Sequence, residues 1–176
     1  MPRLVLTVIG DDRAGLVSAL ADVVTAHDGN WEDSQLAELA GKFAGIVVVG
    51  VPDARVDALT AALRELDGLL EVTTHPGADV EAAAGGVADD ASAQRLTVDL
   101  LGNDRPGIVR EVSSVLSRHE LSIETMTTGT REAPMAGGLL FEAHVVVRVP
   151  ADSDTAGLRA DLERLATELL VDIAVA

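Results

Sequence analysis

Apolar positions along this chain change period in a fixed order, and the order occurs twice. Leu4, Leu6 and Val8 alternate with Val5, Thr7 and Ile9 in a largely apolar run, which predicts a central strand. Leu16, Leu20 and Val23 then recur at helical spacing, with Val17 and Val24 widening the stripe into an amphipathic helix. "NWEDSQLAEL" alternates weakly and "KFAGIVVVGV" is β-branched; with Gly41 between them they predict a hairpin. Val56, Leu59, Leu63 and Leu66 mark a second helix, and "LLEVTTH" a closing strand. The second half repeats this with "RLTVDLL", a helix carrying Ile108, Val112, Val115 and Leu116, the pair "LSIETMTTGT" and "LLFEAHVVVRV", a helix lined by Leu158, Leu162, Leu165 and Leu169, and "VDIAVA". The expected fold is α+β: two ferredoxin-like βαββαβ domains, each with an antiparallel four-stranded sheet and both helices on one face.

The two halves are copies. An offset of 92 aligns residues 4–33 with 96–125 without a gap and leaves nine identical pairs, five of them between Gly10/Gly102 and Val17/Val109. Domains are therefore expected at 1–75 and 94–176. The stretch 76–93, "PGADVEAAAGGVADDASA", is small and acidic without a basic residue, which predicts a flexible linker. The Val-rich central strands predict that each sheet's second face is too apolar for water and is covered by a partner copy or subunit.

Composition narrows the class of function. With 48% hydrophobic residues in 176 positions there is ample core material, but only 2% are aromatic, so the cores must be built from Val, Leu, Ile and Ala. The net charge of −16 repels phosphate backbones and anionic membranes, and no Lys/Arg run offsets it, so neither nucleic acid nor membrane is an expected direct partner. The absence of cysteine removes disulfides, thiolate ligation and a Cys nucleophile. The N-terminus reads as a strand rather than a signal peptide, and no run reaches membrane-spanning length, so a cytoplasmic protein is expected.

The repeated turn carries the candidate chemistry: "GDDRAG" at 10–15 and "GNDRPG" at 102–107, each leaving a strand and starting a helix. Asp12 and Asp104 are placed to cap the helix, and Pro106 suits its first turn. Such a start presents free N–H groups and a positive dipole end to a small anion such as a carboxylate. Capping alone explains Asp, Pro and Gly, but not the repeated Arg13 and Arg105. The glycine spacing is not a dinucleotide fingerprint.

With the segments "GNWEDSQLAELAGKFAGIVVV" and "LSIETMTTGTREAPMAGGLLFEAHVVVRVP", these turns make the chain resemble tandem ACT-domain proteins, and among them the glycine cleavage system transcriptional repressor family. The resemblance implies a regulatory module that binds a small amino acid, such as glycine or serine, where these loops meet a neighbouring ACT domain. Carried over by position, the ligand-binding candidates are Asp11, Asp12, Arg13, Ala14 and Gly15 in the first copy and Asn103, Asp104, Arg105, Pro106 and Gly107 in the second, with Ser34 and Met126 on the following strands. Ala14 stands where the family pattern usually has Pro, so the second turn is the favoured site. The resemblance further implies a homodimer and a transcription-factor partner, which would hold the DNA contact.

Other residues point elsewhere. His27 and His119 occupy matching positions at helix ends, where the dipole favours them. His75 and His144 lack ligand spacing, so no metal or other cofactor is expected. Trp31 and Phe43 read as core or interface anchors, and "REAPMAGG" as a mobile hairpin loop. No nucleophile elbow occurs and acidic pairs are too abundant to be informative, so the chain is not expected to be an enzyme. The alternative to a sensor is a ligand-independent dimerisation or interaction scaffold.

Overall fold

The computed structural model describes residues 2–77, 94–133 and 137–176, and the chain divides into two units between Ala88 and Asp89. In the first unit the elements are β1 (Arg3–Asp11), α1 (Leu16–Ala26), β2 (Asn30–Leu39), β3 (Lys42–Gly50), α2 (Val56–Arg64, after a single turn of 3-10 helix) and β4 (Glu71–Pro76). In the second they are β5 (Gln94–Asn103), α3 (Ile108–Arg118), β6 (Ser122–Glu132), β7 (Leu139–Val149), α4 (Thr155–Leu169) and β8 (Val171–Val175). The sheets run β2-β3-β1-β4 and β6-β7-β5-β8, antiparallel throughout. Each copy is thus the ferredoxin-like βαββαβ sandwich that the periodicity predicts.

Each copy buries its own core. In the first, Leu4, Leu6 and Val8 of β1 and Val47 and Val49 of β3 meet Leu16, Leu20 and Val24 of α1 and Leu59 and Leu63 of α2. In the second, Val98 and Leu100 with Val145 and Val147 meet Ile108, Val112, Val115 and Leu116 of α3 and four leucines of α4. These residues alternate along the strands because successive strand side chains point to opposite faces. Trp31 and Phe43 pack at the margin of the first core. Pro76 pairs with Leu4 inside β4 rather than opening the linker, and residues 78–93 of that segment lie outside the described residues. The same is true of 134–136 within the "REAPMAGG" loop.

The second faces of the two sheets differ in the polar groups set among their apolar positions. On the first sheet Val5 pairs with Val48 and Thr7 with Ile46, and Ile46 is 50% exposed. At the matching place on the second sheet, Asp99 faces His144, with Nδ1 2.6 Å from Asp99 Oδ1. That face is a shallow concavity of about 550 Å³ whose lining mixes Asp99, Glu142 and His144 with Leu101, Ala143 and Ala174.

The first strand of each hairpin, β2 or β6, carries a bulge, at Trp31/Asp33 and Ile123/Thr125, and the extra residue is a glutamate each time, Glu32 or Glu124. Glu32 accepts from Arg3 Nε at 2.6 Å; Glu124 accepts from Arg95 Nε at 2.7 Å and from Arg148. Arg148 occupies the register position held by Gly50 in the first copy, where a side chain would strike Glu32. Glu124 consequently has two guanidinium donors, and the hydrogen bonds from Arg95 and Arg148 hold its carboxyl below the usual glutamate range.

Candidate ligand site at the repeated strand-to-helix turns

The two turns share one backbone. Gly15 (φ 92°, ψ −1°) and Gly107 (φ 98°, ψ −8°) are the N-caps of α1 and α3, in the left-handed region that favours glycine. These are the angles of the third residue of a type II turn, whose second position suits Pro106 and accepts Ala14. Pro106 therefore precedes the helix instead of lying in its first turn. Asp12 and Asp104 are three positions ahead of the cap, and neither helix start has a side-chain cap hydrogen bond. The capping role expected for these aspartates is thus replaced by glycine turn geometry.

The strand-end glycines also have a structural cause. A Cβ at Gly10 would lie 2.7 Å from the Leu69 carbonyl oxygen, and one at Gly102 would collide with the side chain of Val171. Their repetition follows from the close passage of the chain into β4 and β8. By contrast, the space beside Gly15 and Gly107 is open.

The copies diverge in how their polar side chains are committed. In the first turn Lys42 forms an ion pair with Asp11, and this hydrogen bond and charge lower the Asp11 pKa. Arg13 donates from Nη2 to the Gly68 carbonyl at 3.0 Å. Gly68 belongs to the six-residue connection between α2 and β4, whereas in the second copy Leu170 alone separates α4 from β8. Arg105 has no equivalent carbonyl to reach. Leu140 replaces Lys42 opposite Asn103. The side chains of Asn103, Asp104 and Arg105 accordingly make no hydrogen bond or ion pair with another described residue. The Asp104 backbone is fixed by its N–H donating to the Leu139 carbonyl at 2.8 Å.

At α3 the first intrahelical bond runs from Glu111 N to the Gly107 carbonyl, so the N–H groups of Ile108, Val109 and Arg110 have no acceptor within the helix. The second turn thus sets a carboxylate, a guanidinium and open N–H groups within one short segment. Open N–H groups at a helix start suit an anion, and a guanidinium suits a carboxylate.

The weaker candidates fall in different surroundings. Ser34, opposite Val47 on β2, is exposed, and its backbone N–H donates to Asp33. Met126, at the matching place on β6, is partly buried against the second core beside Ile108 and Val109. His27 and His119 are the C-caps of α1 and α3; His27 Nδ1 is 2.8 Å from the Val23 carbonyl and His119 Nε2 is 2.9 Å from Asp161. The Asp99–His144 pair was not legible, because 45 residues separate its members and only strand register joins them.

No described helix is long and apolar enough to cross a membrane. ACT-domain family models match residues 2–76 and 96–167. The glycine cleavage system transcriptional repressor of Escherichia coli is 24% identical over 173 residues, covering 94% of this chain and 85% of that protein. A crystal structure of a protein of unknown function from Galdieria sulphuraria is 28% identical with a TM-score of 0.85, covering 99% of this chain and 96% of that one. Another solved structure, provisionally assigned as a glycine cleavage system transcriptional repressor, shares the fold with a TM-score of 0.69 at 16% identity, over 99% of this chain and 96% of its own. Two matched domains on two copies of the βαββαβ sandwich place this chain in the ACT-domain family, as a tandem of two ACT domains.

Proposed function

We propose that this protein is a non-enzymatic cytoplasmic regulator that binds a small amino acid, glycine or serine being the simplest, at the second repeated turn and so alters its affinity for a protein partner. The observation that carries the reading is the asymmetry between turns of the same backbone. Lys42 and the Gly68 carbonyl engage Asp11 and Arg13, while their counterparts Asn103 and Arg105 make no side-chain hydrogen bond or ion pair with another described residue. Similarity to the transcriptional repressor supports a regulatory role; the reading adds a transcription factor as the partner class and a homodimer as the working form. The charge of −16 argues that any DNA contact belongs to that partner.

Regulation in this scheme is linkage: the amino acid shifts partner binding only by its difference in affinity for the free and bound arrangements, about 1–3 kcal/mol in typical cases. A thermal-unfolding screen against the twenty amino acids tests the first step. At a hundredfold above Kd, ligand adds about 2.7 kcal/mol of stability. The expected result is a stabilising small amino acid whose effect disappears in Arg105→Ala. Silence across the screen would favour the scaffold reading, in which the turns only start helices.

A further inference from the structure

On the open face of the second sheet two adjacent rungs carry charge. In one, Leu101 lies between Glu142 and Asp172; in the next, Asp99 lies between His144 and Ala174. These rungs line the concavity of about 550 Å³, whose lining holds three carboxylates and neither Lys nor Arg. Arg131, outside that lining, pairs with Glu142 at 3.2 Å, and His144 pairs with Asp99, while Asp172 makes no ion pair with another described residue. The matching rungs of the first sheet set Ile9 between Ala44 and Glu71, and Thr7 between Ile46 and Thr73, with one carboxylate in all. The same fold thus forms without Asp99, Glu142 or His144. Aspartate is disfavoured inside a central strand, and the Asp99 and His144 side chains are both more than half exposed, so core packing does not account for them.

We propose that this face docks a basic amphipathic helix of a protein partner, with Lys or Arg side chains on Asp99, Glu142 and Asp172 and short apolar side chains over Leu101 and Ala174. This rests on the reading that the chain acts through a protein partner, and not on an amino acid binding at the second turn. Charge selects the occupant. A second copy docked through the same face on a two-fold axis would set these carboxylates against themselves, whereas a partner of opposite sign is attracted. In a chain of net charge −16 such a partner is also steered from a distance. Spacing selects the helix: Glu142 and Asp172 are two strand spacings apart, about 10 Å, which is the rise over seven helical residues. Basic residues at i and i+7 thus reach the two carboxylates while apolar residues at i+3 and i+4 cover Leu101.

The probe is a synthetic helical peptide of about 18 residues with Lys at i and i+7 bracketing Ala or Leu at i+3 and i+4. It is titrated into the full chain by fluorescence anisotropy beside the same peptide with Glu for Lys, and binding of the Lys form alone is expected. Asp99→Asn, Glu142→Gln and Asp172→Asn together should weaken it about tenfold. Asp152→Asn, Glu163→Gln and Glu168→Gln together remove the same charge elsewhere and should change it less than about twofold. Gly129→Phe, at the β6 end of the Glu142 rung, leaves the charge unaltered and has room for its Cβ, 3.8 Å from Glu142; it should obstruct the face and abolish binding. Arg105→Ala should bind the peptide as wild type does, which separates this surface from the amino-acid site. Equal weakening by the two triple variants would reduce the effect to net charge and overturn the proposal, as would no binding by wild type. A change of oligomeric state in Gly129→Phe, read by sedimentation, would assign the face to a second copy and overturn it too. Each of these failures leaves the thermal-unfolding screen for an amino acid standing.

Discussion

Asp104 lies three residues ahead of the α3 N-cap, and no helix N–H bonds to a side chain there. Asp104→Ala should therefore change stability by less than about 0.5 kcal/mol in urea titration. A loss near 1 kcal/mol, typical for a removed cap, would mean that the carboxylate does bond the helix start. The glycines behave oppositely. Gly102→Ala forces a Cβ into Val171 and should cost about 1–3 kcal/mol, while Gly107→Ala adds a Cβ in open space but holds a left-handed backbone, for about 1–2 kcal/mol. Equal stability of Gly102→Ala and wild type would show that the passage into β8 is looser than the geometry indicates. The repeated glycines therefore serve backbone geometry, leaving Asn103, Asp104 and Arg105 as the polar groups available to a ligand.

At the scale of elements, the strands and helices were legible because apolar spacing switches cleanly between two and three-to-four residues. Leu158, Leu162, Leu165 and Leu169 all line the α4 core face as their spacing requires. The bulges were not legible: one extra residue leaves alternation intact on either side, so Glu32 and Glu124 resemble ordinary strand positions until the partner strand fixes the register. Identical glutamates at an offset of 92 were visible, but their arginine partners on β1, β5 and β7 required the fold. The Glu124 clamp also carries a pH signature. Because Arg95 and Arg148 lower its folded pKa, its stabilisation is complete above the unfolded glutamate value, about 4.3, and is lost as pH falls through the folded value. The stability gap between wild type and Glu124→Gln should thus be larger at about pH 7 than at about pH 3. Urea midpoints that differ equally at both pH values would contradict the clamp.

Across the whole molecule, duplication supplied the same strand-to-helix turn twice, and divergence gave the two turns different surroundings. The candidate site was legible as a repeated motif, yet the reason to prefer the second turn was not, since it depends on the length of a distant connection. The α2–β4 loop brings the Gly68 carbonyl to Arg13, and the shorter α4–β8 connection brings nothing equivalent to Arg105. The sheets diverged similarly, from Thr7 and Ile46 to Asp99 and His144. On the function proposed above, the second copy senses while the first serves structure. Calorimetric titration with the best-stabilising small amino acid tests it most directly, comparing wild type with Arg105→Ala and Arg13→Ala. One ligand per chain is expected, with binding lost in Arg105→Ala and kept in Arg13→Ala. Two equivalent ligands per chain, or loss of binding in Arg13→Ala alone, would contradict it.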